Sequence, residues 1–291
     1  MMGSRKLWSY SLIVIVCALL LLGLQRFKNE QSGGPAAVGD PPSAGDSLQA
    51  AGGQLERLLS IGTALTPAPY LVTVKWQGKW ETQLAEEEAA GALATRLGLS
   101  EPLTENVQGH TVYNANGSSE GVRLTLNVTA QSEGRYYVVL RLEGAGGTAG
   151  SGERMLEVQQ LAGESLADEG VQIGWNAAVQ GIGLARTGAG TGTESEPAES
   201  EPNEPAPAER TVSAVLMGLE QQIKDKLGLK LERVEGFEDE LTASQSYAVP
   251  GFPITAQSGK RQVALQLAVH RNADTGMDEV AVGSPLLTVE Y

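Results

Sequence analysis

The stretch "VKWQGKW", Val74–Trp80, alternates large apolar side chains with polar ones and passes through Gln77-Gly78. Further along, "NAAVQGIG", Asn176–Gly183, alternates through Gln180-Gly181. A period of two marks a strand with one buried face. Each stretch leads into a helical pattern that closes on Leu-Gly-Leu, at Leu97-Gly98-Leu99 and at Leu227-Gly228-Leu229. A second alternating pair follows, "VRLTLNV" (Val122–Val128) and "RQVALQLAV" (Arg261–Val269). Gln77 and Gln180 are 103 positions apart, while Leu97 and Leu227 are 130 apart. An acidic insertion between them accounts for the growth in offset, so the chain reads as a duplication.

The same periodicities predict the remaining elements. A helix over Gln54–Leu65 precedes a strand over Pro69–Trp80 and a helix over Thr82–Leu97. Strands are expected at Thr104–Val107, His110–Ala115, Gly121–Gln131 and Arg135–Glu143, then a helix at Gly152–Ala167. The cycle restarts with a strand at Val171–Leu184 and a helix at Arg210–Leu227. Strands at Lys230–Val234, Leu241–Val249, Lys260–His270 and Met277–Tyr291 complete it. Sheets with helices segregated to one face are α+β. The expected architecture is two tandem β-α-β4-α-type repeats, residues 54–170 and 171–291, forming a pseudo-symmetric saddle. The second repeat lacks its closing helix, and the Gln54 helix is placed to fill that gap.

Outside the repeats, "LWSYSLIVIVCALLLLGL" (Leu7–Leu24) carries no charge over 18 residues, close to one bilayer thickness at helical rise. Arg5 and Lys6 precede it, which favours a cytoplasmic tail of residues 1–6 and an exported domain. The run is read as a retained anchor, since "GLQRFK" after Leu22 lacks a small-residue cleavage pattern; cleavage would make the protein secreted. Cys17 lies within this run, so the rest of the chain has no thiol chemistry. Residues 25–53, rich in Gly, Pro, Ser and Ala, read as a flexible linker, and residues 187–209 as an acidic disordered insertion.

This order of elements is the one seen in the TATA-box-binding-protein-like fold. "VGSPLLTVEY" (Val282–Tyr291) and "WNAAVQG" (Trp175–Gly181) resemble the YwmB family of spore-forming Gram-positive bacteria. The resemblance covers residues 54–291 and implies that fold and a place at the cell envelope, with a role in envelope biology or sporulation. It implies no activity.

The fold analogy raises DNA binding, but the net charge is −14 and no basic stripe offsets it. Arg123, Arg141 and Arg135 are set against Glu120, Glu133 and Glu143, and Phe237 and Phe252 have no counterparts in the first repeat to act as wedges. Nucleic acid is therefore disfavoured as a partner. "GSSEG" (Gly117–Gly121) matches the spacing of a nucleophile elbow but sits between two strands, so a hairpin turn is expected. "NADTGMDE" (Asn272–Glu279) is an incomplete calcium loop, and "GAGGTAG" (Gly144–Gly150) misses the dinucleotide pattern at Ala149. No catalytic, metal or cofactor set is expected, and no cofactor.

The expectation is a non-enzymatic, membrane-tethered module that binds an envelope protein or cell-wall component. The alternative is an enzyme or accessory factor of cell-wall metabolism using unpaired carboxylates such as Glu143 or Glu235. Trp76, Trp80 and Trp175 are assigned to the core beneath the helices. The opposite side of the two central strands carries Lys75, Gln77 and Lys79, with Asn176 and Gln180, as the candidate ligand-binding residues.

Overall fold

The computed structural model describes residues 44–107, 109–183 and 210–287. The expected membrane anchor at 7–24 and the acidic insertion at 187–209 lie outside the described residues. Among the described residues, no helix is long and apolar enough to cross a membrane.

The fold is α+β, and the described residues form four helices and a large antiparallel sheet. Helix α1 (Ala44–Leu65) is followed by β1 (Tyr70–Glu81), α2 (Glu86–Arg96), β2 (Leu103–Val107), β3 (His110–Ser119), β4 (Val122–Ser132), β5 (Arg135–Gly146) and α3 (Ser151–Asp168). Then come β6 (Gln172–Ile182), α4 (Val212–Leu227), β7 (Glu232–Glu238), β8 (Thr242–Ala248), β9 (Ala256–Ser258), β10 (Arg261–Val263), β11 (Leu265–Arg271) and β12 (Asp278–Ser284). Ten strands form one sheet in the order β2-β3-β4-β5-β1-β6-β12-β11-β8-β7, and β9 and β10 form a separate hairpin. The sheet's centre is the antiparallel pair β1–β6, in which Trp76 lies opposite Trp175.

The period-two pattern decides which side meets the helices. Tyr70, Val72, Val74, Trp76 and Trp80 of β1 are buried, as are Leu124, Leu126 and Val128 of β4 and Leu140 and Leu142 of β5. Polar contacts confirm the side. The Trp76 indole N–H donates to the backbone carbonyl of Gln159 on α3 at 2.9 Å, and that of Trp175 to the Gln159 side-chain oxygen at 2.9 Å. Trp80 donates to the carbonyl of Glu169 at 2.8 Å, and Tyr70 to that of Leu59 on α1 at 3.0 Å. The three tryptophans are therefore core.

Three expectations change. Residues 44–53 are not linker: α1 starts at Ala44, and Leu48 and Ala51 are buried. Two adjacent glycines, Gly52 and Gly53, cost helix propensity, but packing against α3 overrides it. The expected strand Lys260–His270 is split, because the Ala264 N–H turns to the carbonyl of Tyr247 and three successive residues, Val263, Ala264 and Leu265, are buried. The last strand ends at Ser284 rather than Tyr291, since Pro285 has no N–H with which to extend the ladder.

Burial of the two sides predicts different costs. Trp76, 1 % exposed, loses both packing and a hydrogen bond on truncation. Trp76→Ala should cost about 3–5 kcal/mol of unfolding free energy, and Gln77→Ala on the opposite side no more than about 0.5. Denaturant titration of both variants measures the difference, and the reverse ranking would mean that the sides are exchanged.

Candidate functional site

The side of the sheet away from the helices is paved by the alternate residues of each strand. All five candidate residues lie on it, but they do not form one cluster. Lys75 stands directly opposite Asn176, Gln77 opposite Gly174, Lys79 opposite Gln172 and Gln180 opposite Leu71. Gln77 and Gln180 are thus separated by six residues along the strand direction, roughly 20 Å. Lys79 is exposed, and Gln77 and Gln180 are half-buried. Lys75 and Asn176 are only 4 % and 5 % exposed, so neither is the open contact point that the sequence suggested. The Asn176 amide donates to the carbonyl of Leu286 at 2.7 Å.

Sequence reading missed an amide and hydroxyl lattice beside them. Asn114 Nδ2 donates to Asn127 Oδ1 at 2.8 Å, Asn116 Nδ2 to Asn114 Oδ1, and Thr125 Oγ1 to Asn116 Oδ1 at 3.0 Å. Asn114 and Asn127 are register partners between β3 and β4, as are Asn116 and Thr125. The signal was present in "YNAN" and "TLN", where polar residues recur every second position. Only the pairing register puts them side by side. Each amide keeps further donors or acceptors beyond these bonds.

Two carboxylates of this side are engaged. Glu143 lies 3.8 Å from Arg123 and 3.5 Å from Arg141. Glu235 accepts from Ser258 Oγ at 2.7 Å. Both carboxylates expected to be unpaired therefore have partners. They also sit six strands apart on one row of the sheet, from β5 to β7, roughly 30 Å at ordinary strand spacing. A carboxylate pair for glycoside cleavage needs about 5–10 Å. An open depression of about 530 Å³ lies near the β3–β4 turn, lined by Leu71, Ser118, Arg123 and Glu143.

The other motifs resolve as local structure. "GSSEG" is the β3–β4 hairpin, turning at Glu120 and Gly121 with φ of 50° and 79°. The two positive φ values suit the twist of a tight hairpin. "GAGGTAG" joins β5 to α3, and a Cβ on Gly146 would lie 2.1 Å from the Tyr70 ring, so this glycine makes room for an aromatic side chain. Asn272 Oδ1 accepts from the N–H groups of Asp274 and Thr275, closing the β11–β12 turn. Among the described residues, no group of three or more His, Cys, Asp or Glu side chains could hold a metal ion. His270 is buried against Thr242, its Nδ1 3.0 Å from the hydroxyl.

A buried carboxylate lies on the helix side. Glu220 of α4 is buried and takes a two-point contact from Arg233, at 3.0 and 2.6 Å, a bond from Lys224, and one from the Tyr247 hydroxyl at 3.3 Å. Burial pushes its carboxyl up, but the hydrogen bonds and charges of Arg233 and Lys224 outweigh burial and hold it below the usual carboxylate range. The cluster ties α4 to β7 and β8, which makes it a structural pin. Neither protein-family models nor curated proteins match the chain.

A depressed folded-state pKa adds stability that is complete above the ordinary glutamate value, about 4.3, and is lost as pH falls through the lower folded value. Glu220→Gln should therefore melt well below the parent at pH 7. The gap between the two melting curves should close in acid. A gap that stays constant from pH 7 to pH 3 would mean that the carboxylate charge does not contribute.

Proposed function

We propose that the chain is a non-enzymatic binding module, tethered outside the cell membrane, whose sheet face opposite the described helices takes an extended partner from the cell envelope. The observation that carries this reading is the face itself: a broad antiparallel surface opposite the described helices, carrying rows of amides and hydroxyls, exposed Leu71 and Ile182, an exposed Lys79, and Glu143 flanked by Arg123 and Arg141. Such a surface offers hydrogen bonds in rows at strand spacing, which suits an extended ligand better than a compact one. The acidic balance of the chain argues against a phosphate backbone.

The proposal includes two duplicated halves in a TATA-box-binding-protein-like saddle, of the kind the YwmB resemblance implies. Support comes from the strand order, which runs β1-β5-β4-β3-β2 outward from the centre on one side and β6-β12-β11-β8-β7 on the other. The chain connections match too: β1-α2-β2 on one side, β6-α4-β7 on the other. Gly98 and Gly228, which follow α2 and α4, both have positive φ, 66° and 64°. Helix α1 packs on β6 and β12, where a closing helix of the second half would lie.

Two measurements test the reading. A photo-cross-linking residue at Lys79, exposed on the open face, should capture a partner in native membranes. The same residue at Leu161, exposed on α3, should not. Equal capture at both positions, or capture at Leu161 alone, would remove the open face as the binding surface. A phosphatase that is active only after export, fused behind Tyr291, should be active, and inactivity would place the domain inside the cell.

A further inference from the structure

We propose that the middle of the open face is a clamp for a single peptide group of an extended polypeptide, and that the chain's own residues Pro285–Leu287 fill it in cis. The proposal deepens the reading of this face as a binding surface and rests on it.

Strand β12 ends at Ser284, whose hydroxyl is fixed on the helix side. It accepts from Gln54 Nε2 at 2.7 Å and donates to the carbonyl of Ala264 at 2.8 Å. Pro285 has no N–H to continue the ladder, and the chain passes to the other side of the sheet. There the peptide unit between Leu286 and Leu287 is held at both ends. Its carbonyl accepts from Asn176 Nδ2 at 2.7 Å, and its N–H donates to Gln266 Oε1 at 3.1 Å. Asn176 stands on β6 and Gln266 on β11, and β12 runs between them. Directly beneath lies Gly283, register partner of Gln266. A Cβ there would come within 2.6 Å of the Leu287 nitrogen and 2.7 Å of the Leu286 carbonyl carbon, both backbone atoms. The space is therefore cut to backbone dimensions, and glycine makes the close approach.

The chemistry names the ligand class. An amide donor and an amide acceptor, facing each other across one strand, match the carbonyl and N–H of one trans peptide group. They read no side chain and no charge. Any extended polypeptide can present such a group, so the partner is a polypeptide strand laid along the face. Pro285–Leu287 is the intramolecular version of it, and the partner must displace it.

The test uses the full chain and, as probe, a fluorescent peptide copying residues 284–291, "SPLLTVEY". Leu287→Pro removes the N–H that Gln266 accepts and leaves the face intact. The Leu287→Pro chain should bind the peptide about tenfold more tightly than the parent, whose clamp is filled. Adding Gly283→Val or Gln266→Ala to that chain should abolish the gain, as should a peptide N-methylated at the nitrogen matching Leu287. Equal binding by parent and Leu287→Pro, including none by either, or undiminished binding of the N-methylated peptide, would overturn the clamp. Hydrogen exchange on the unlabelled parent provides a second measurement, independent of how the proline variant folds. The Leu287 amide should be protected in the parent and exchange freely in Gln266→Ala while the β11–β12 amides stay slow. A Leu287 amide that exchanges freely in the parent would also overturn the proposal. Failure here with Lys79 cross-linking intact removes the clamp but leaves the binding face; loss of cross-linking with peptide binding intact leaves a clamp whose wider face has no partner.

Discussion

The structure depends on the pairing of β1 with β6. Each strand carries large apolar residues on the helix side, and each would be a sheet edge without the other. An exposed edge of that kind is a template for aggregation. Joining them removes both edges at once and leaves only β2 and β7 at the margins. These are short strands of five and seven residues with mostly exposed side chains, and each carries glutamates, so they are poor templates. Where the halves meet, Trp76 and Trp175 face each other, and both indole N–H groups end on Gln159. One residue of α3 thus satisfies the buried donors of both central strands. The cost is its own Nε2, which is buried without a hydrogen-bond partner among the described residues.

Helix α1 follows from the same constraint. A continuous apolar side running across both halves needs continuous cover, and α3 reaches only part of it. Helix α1 lies against α3, β6, β12 and α4. Its Gln54 uses the whole side-chain amide. The oxygen accepts from the N–H of Ile254 at 2.9 Å, while Nε2 donates to the Ile254 carbonyl at 2.8 Å and to Ser284. A buried amide satisfied at every group fixes one geometry, whereas a partly satisfied one would be costly. The first described helix is thereby locked to the end of the last strand, more than two hundred residues away.

Most of the strands and helices were legible because their burial is one-sided, and one-sided burial writes a period of two or of 3.6 into the chain. The core tryptophans followed from that pattern alone. What could not be read was anything set by register. Asn114, Asn116, Thr125 and Asn127 look like ordinary surface residues until β3 and β4 are paired. Lys75 and Asn176 looked like open binding residues because their strand face was right, but strand face does not report what crosses above it. The start of α1 was hidden by Gly52 and Gly53, whose low helix propensity is overruled only by contacts distant in sequence. The end of β12 was signalled by Pro285, but the alternation of "LLTVEY" beyond it spoke for a longer strand.

The face that results has a particular electrostatic character. A chain of net charge −14 would be expected to present acid wherever it meets solvent. On the open side, instead, Arg123 and Arg141 flank Glu143, Lys79 is exposed, and the Asn114–Asn127 lattice is uncharged. Recognition on such a surface draws on amide hydrogen bonds, which carry direction and spacing and depend little on salt. Long-range charge steering, which is screened beyond about 10 Å at ordinary ionic strength, has little part in it. On the proposed placement near a membrane this matters physically. Anionic headgroups and anionic wall polymers would saturate a basic face, whereas an amide-lined face discriminates by the pattern of donors and acceptors along an extended chain. Asn176, Gln266 and Gly283 apply that logic at the scale of one peptide group, and the Asn114–Asn127 lattice extends the same chemistry across the first half of the sheet.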